Sequence, residues 1–115
     1  MEIQSQTIFI AIMIAVFIFI FIKKKNNQKK VGQFMNKNAK IIDVRSKEEF
    51  SSASNPKSIN IPLDEFEKSI GKFDKTEHII VCCASGMRSA MALQILKKNG
   101  FVNALNAGPW TKTIY

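Results

Sequence analysis

The chain has 115 residues, 46% of them apolar, with a formal charge of +8, which is room for one domain. Five lysines (Lys23, Lys24, Lys25, Lys29, Lys30) account for much of that charge, and from residue 31 onward twelve basic against eight acidic residues leave only +4. Those charges are scattered rather than gathered into a basic face with interleaved aromatics, which argues against nucleic acid as a partner. With two adjacent cysteines, one histidine and no C-x-x-C pair, neither a disulfide framework nor a metal site is expected.

The first element is "IFIAIMIAVFIFIFI", Ile8 to Ile22, an unbroken apolar run. As a helix it covers about 22 Å, and adding Ile3 to Thr7 brings it to about 30 Å, the thickness of the bilayer hydrocarbon. Residues 1–22 are therefore predicted to be a transmembrane anchor helix, meeting the bilayer through residues 3–22. A core helix apolar on every face needs a larger protein around it than this chain supplies. A cleaved signal peptide places basic residues before its apolar run and a small-x-small motif after it. Here Glu2 precedes the run and Lys23-Lys24-Lys25 follows. With every lysine on the C-terminal side, the positive-inside rule sets the N-terminus outside the cell membrane and the domain in the cytoplasm, where thiols stay reduced. "KKKNNQKK", residues 23–30, reads as a basic juxtamembrane linker near anionic headgroups, and residues 31–115 as the folded domain.

Within the domain, "VGQFMNKN" forms a short helical turn leading in. "AKIIDVR" (Ala39–Arg45) is a buried strand from which Asp43 and Arg45 emerge. "SKEEF" starts a helix, with Ser46 as N-cap and Glu49 completing a capping box. "SINIPL" is a short strand stopped by Pro62. "LDEFEKSIGKF" is an amphipathic helix with Leu63, Phe66 and Ile70 on one face and Gly71 as terminator. "HIIVCC" is a second long buried strand, with His78 exposed at its start. "MRSAMALQILKKNG" is a helix with Ser89, Ala92, Leu93 and Leu96 on one face and Gly100 beyond its end. "FVNALN" (Phe101–Asn106) is the last strand. Short apolar strands alternating with helices predict an α/β fold, a parallel sheet covered by helices on both faces.

In such a sheet ligands bind beyond the C-terminal strand ends, where "VCCASGMRS" lies (Val81–Ser89). A thiol there faces a helix N-terminus, whose free N–H groups lower its pKa and bind anions. Gly86 lets the backbone curl around that point. Cys82 belongs to the strand and is expected to be a small core residue. Cys83 is expected to open the loop, exposed and reactive.

"DVRSKEEF", "INIPL", "VCCASGMRSA" and "GFVNALNAGPW" together resemble, in order and spacing, a single-domain rhodanese-like sulfurtransferase over about Lys40 to Trp110. The family pattern Cys-x-Ser-Gly-x-Arg-Ser falls on Cys83, Ser85, Gly86, Arg88 and Ser89. The resemblance implies a three-layer α/β/α rhodanese fold and a Cys83 thiolate that takes sulfur from thiosulfate, a polysulfide or a persulfide-carrying protein. The resulting persulfide passes its sulfur to cyanide or a thiol, and no cofactor is implied. The N–H groups of Ala84, Ser85, Gly86, Met87 and Arg88 are expected to hold the anionic sulfur, with Arg88 orienting the loop or touching the donor. Asp43, Arg45 and Ser89 are expected to be structural support. The chain departs from the family at Ala53-Ser54-Asn55, where Gly-His-Ile is common, and at Ala107-Gly108, where Gly-Gly precedes the tryptophan. With five residues after Trp110, the family's final helix is expected to be missing. Two alternatives stand beside this reading: a membrane-tethered binding module with Cys83 idle, and a phosphatase or arsenate reductase using C-x5-R counted from Cys82.

Overall fold

The structure is a computed structural model that describes residues 2–114. Four parallel strands, β1 (Lys40–Asp43), β2 (Ile59–Asn60), β3 (Ile79–Cys83) and β4 (Ala104–Pro109), form one sheet in the order β2-β1-β3-β4. The helices are α1 (Glu2–Met35), α2 (Lys47–Ser52), α3 (Leu63–Ser69) and α4 (Met87–Lys98). The chain leaves β1 toward one edge and returns across it to β3, so the strand order reverses between β1 and β3. That switch point is where open α/β sheets bind ligands.

Side-chain alternation splits the core into two layers. Ile42, Ile79, Val81 and Cys83 face α3 and α4, packing with Phe66, Ala92 and Leu96. Ile41, Ile80 and Cys82 face the other way, against Val31, Phe34, Met35, Ala107 and Trp110. Residues 23–30, expected as a basic juxtamembrane linker, are helical: α1 runs unbroken through them, and its last turns cover the sheet. One helix therefore carries both the exposed apolar segment and a structural layer of the domain. It is long and apolar enough to cross a membrane, and its apolar window is wholly unburied.

Other boundaries move for physical reasons. The last strand lies at Ala104–Pro109 rather than 101–106, because Phe101 turns inward to pack under the first layer. The α3 helix ends at Ser69 and continues as a 3-10 turn through Gly71 to Lys72. His78 is half-buried, not exposed, with its ring edge-on to Phe34 at 5.0 Å. The chain after Trp110 forms a 3-10 turn, Trp110–Thr113, tied down by Asn55, whose Nδ2 donates to the Thr113 carbonyl and Oγ1 at 3.1 Å.

Because Val31 is 1% exposed against the second layer, Val31→Asp strands an unpaired carboxylate there. It is expected to cost the full-length protein about 3 kcal/mol or more in urea unfolding. Gln33→Asp, on the exposed side of the same turn, is expected to stay within about 1 kcal/mol.

Candidate active site

The site is built where β3 runs into α4. The sequence reading opens the loop at Cys83; the structure makes Cys83 the last residue of β3 and buries it completely. Gly86 follows at φ +103° as the N-cap of α4, a left-handed conformation that a side chain strains. A Cβ there would also stand 3.2 Å from the Gly108 Cα, a tight contact that adds crowding to the strain of the turn.

This curl aims donors at one sulfur. The Gly86 N–H donates to Cys83 Sγ at 2.9 Å, and the Ser89 hydroxyl donates to it at 3.3 Å. Burial pushes the Cys83 thiol up, but hydrogen bonds from the Ser89 hydroxyl and from the N–H groups of Ser89, Gly86 and Ser85 outweigh it. The net result lies below the ordinary thiol value. Ser89, expected as support, thus touches the sulfur itself.

Cys82 is in the opposite condition. It points into the second layer, where Sγ donates to the Ile42 carbonyl at 3.8 Å. Burial, with the Asp43 charge added, pushes its thiol up to about 12. A five-residue loop counted from Cys82 would therefore start from a sulfur on the wrong side of the sheet.

Arg88 does not reach freely into the loop. Its guanidinium makes a two-pronged pair with Glu49, Nη1 to Oε1 at 2.7 Å and Nη2 to Oε2 at 3.0 Å. Glu49 also completes the α2 capping box with Ser46. Arg88, and then Ser46, hold the Glu49 carboxyl down at about 2. Below the loop, Asp43 and Arg45 form a buried ion pair at 2.7 Å. Arg45 also donates to the Ala53 carbonyl at 2.8 Å and lies over the Trp110 ring at 4.9 Å.

Two contributors escaped the sequence reading. Glu49 was legible as a cap but not as the partner of a residue 39 positions away. Asn106 was read only as the end of a strand. The β3–β4 register shifts after Val81, pairing Val81 with Asn106 but Cys82 with Gly108, so Ala107 is an extra residue. In this bulge the Asn106 Oδ1 accepts from the Gly108 N–H at 2.8 Å, and Nδ2 donates to the Gly86 carbonyl at 3.2 Å. Asn106 therefore props the turn that aims the Gly86 N–H.

Among the described residues no group of acidic, histidine or cysteine side chains is placed to hold a metal. The strand end, the curled loop and the helix N-terminus define a class of α/β protein that sets one thiol of lowered pKa among backbone N–H groups and a hydroxyl. The chain belongs to the rhodanese-like family: the Rhodanese-like domain model matches residues 27–108. The thiosulfate:glutathione sulfurtransferase of Saccharomyces cerevisiae is 38% identical over 79 residues, covering 57% of this chain and 57% of that protein. The Escherichia coli thiosulfate sulfurtransferase PspE is 36% identical over 69 residues, covering 58% of this chain and 66% of its own. Among solved structures, the human single-domain sulfurtransferase TSTD1 superposes with a TM-score of 0.62 at 26% identity, over 68% of this chain and 82% of that one. The chain spans 40% of another curated relative, YrkF of Bacillus subtilis, which is 40% identical over 75 residues.

Alkylation by iodoacetamide is expected to modify Cys83 with an inflection below the ordinary thiol value of about 8.5. Ser89→Ala removes the hydroxyl donor and is expected to move that inflection to higher pH, while Cys82 stays unmodified in the folded protein.

Proposed function

We propose that this chain is a membrane-anchored rhodanese-type sulfurtransferase that carries sulfur as a Cys83 persulfide. The observation that carries the reading is the convergence of the Gly86 N–H and the Ser89 hydroxyl on the Cys83 sulfur. Similarity to two thiosulfate-using sulfurtransferases supports it.

In the first half-reaction the Cys83 thiolate attacks the outer sulfur of thiosulfate. A Cys83–sulfur bond forms, the bond between outer and central sulfur breaks, and sulfite leaves with that electron pair. The persulfide's terminal sulfur keeps one negative charge, which the N–H groups of the loop stabilise without reorganising. In the second half-reaction an acceptor attacks that sulfur and the electron pair returns to Cys83. Cyanide then leaves as thiocyanate, and a thiolate leaves as its persulfide. The name of the yeast relative supports a thiol such as glutathione as acceptor.

The anchor reading has two supports. The lysines all follow the apolar run, and the same helix continues into the core as a layer of the fold. The first favours a domain on the cytoplasmic side, and the second favours an uncleaved helix.

With thiosulfate and cyanide, thiocyanate formation is expected to be abolished by Cys83→Ser and retained by Cys82→Ser. Release of phosphate from a phosphate ester, lost on Cys82→Ser, would point to phosphatase chemistry instead. Protease added outside intact cells is expected to leave the domain undigested; digestion there would reverse the orientation.

A further inference from the structure

Between α1 and the domain lies a cavity of about 680 Å³. Lys23, Lys24 and Lys30 line it from the helix, Lys112 faces them from the turn after Trp110, and Ile20 and Leu93 supply apolar wall. No carboxylate lines it, and none of the four lysines is ion-paired with a carboxylate among the described residues. Asn27, also on the wall, donates from Nδ2 to the Asn106 carbonyl at 3.0 Å, bolting α1 to β4. Like charges are thus gathered around a concave space with nothing of this chain to neutralise them, an arrangement that an anion relieves.

We propose that this cavity binds the phosphate headgroup of an anionic phospholipid. The inference rests on the anchor reading, because position selects the lipid. Ile20 belongs to the apolar segment and Lys23 begins the polar one, so the cavity opens at the level where hydrocarbon gives way to headgroups. An acyl chain continues from it along the exposed apolar surface of α1, whose Phe17 and Phe21 are 72% and 61% exposed. A soluble anion gains the charge contacts but leaves that apolar wall wet. Lys25 and Lys29 belong to the same basic stretch but do not line the cavity, which separates a built site from diffuse attraction.

The test reconstitutes the full chain in phosphatidylcholine vesicles with and without phosphatidylglycerol. Association of spin-labelled phosphatidylglycerol and phosphatidylcholine with the protein is then read by electron spin resonance. The wild type is expected to prefer phosphatidylglycerol. Lys24→Gln with Lys112→Gln is expected to weaken that preference about fivefold or more. Lys25→Gln with Lys29→Gln removes equal charge and is expected to change it by less than about twofold. Equal losses in the two pairs overturn the site in favour of a diffuse basic surface. Displacement of the labelled lipid by glycerol 3-phosphate reassigns the cavity to a soluble anion. Flotation with the vesicles but no lipid preference defeats this inference alone, whereas failure to float defeats the anchor and the inference together.

Discussion

Side-chain alternation along β3 decides what each sulfur can do. Neighbouring residues on a strand must face opposite sides of the sheet, so Cys82 and Cys83, joined by one peptide bond, enter different layers. Cys82 meets α1 and the Trp110 side, where burial and the Asp43 carboxylate oppose a charge. Cys83 meets the N-terminal turn of α4, where donors converge. A buried thiolate is costly unless it is hydrogen-bonded. The loop turns that cost into selectivity, since the donors that offset burial for Cys83 are out of reach of Cys82.

The rest of the site holds those donors still. The Gly86 turn depends on the β4 bulge, because Ala107 displaces the register and frees Asn106 to bind the Gly86 carbonyl. The Glu49–Arg88 pair fastens α2 to α4 across the rim. Asp43 and Arg45, fixed in turn by Ala53 and Trp110, brace the end of β1 beneath it. Every buried polar side-chain atom among the described residues has a hydrogen-bond partner, so this bracing costs no stranded polar group. Asn27 extends the chain of contacts outward, linking α1 to the same Asn106.

Local signals carried much of the fold. Apolar runs announced β1 and β3, the Ser46–Glu49 capping box announced α2, and the spacing of Ser89, Ala92 and Leu96 announced α4. The parallel α/β architecture followed from their alternation. The misses arose where distant packing overrides local composition. "KKKNNQKK" has a linker's composition, yet Asn27 and Val31 have partners on the sheet that keep the segment helical. "FVN" has strand-forming residues, yet Phe101 gains more by burial under α4. At the site, the Cys83 loop could be read from its glycine and its place before a helix. The burial of Cys83, the Glu49–Arg88 pair and the Asn106 prop could not. Each depends on a partner brought close by the sheet, and no spacing within one segment records it.

Selectivity between the two sulfurs is most directly measured by mass spectrometry of the full chain after exposure to thiosulfate without reductant. The expected result is one added sulfur atom, mapped to Cys83, removed by cyanide and absent from Cys83→Ser. An adduct on Cys82, or a folded protein with an intact Cys83 that gains no cyanide-labile sulfur, would contradict it.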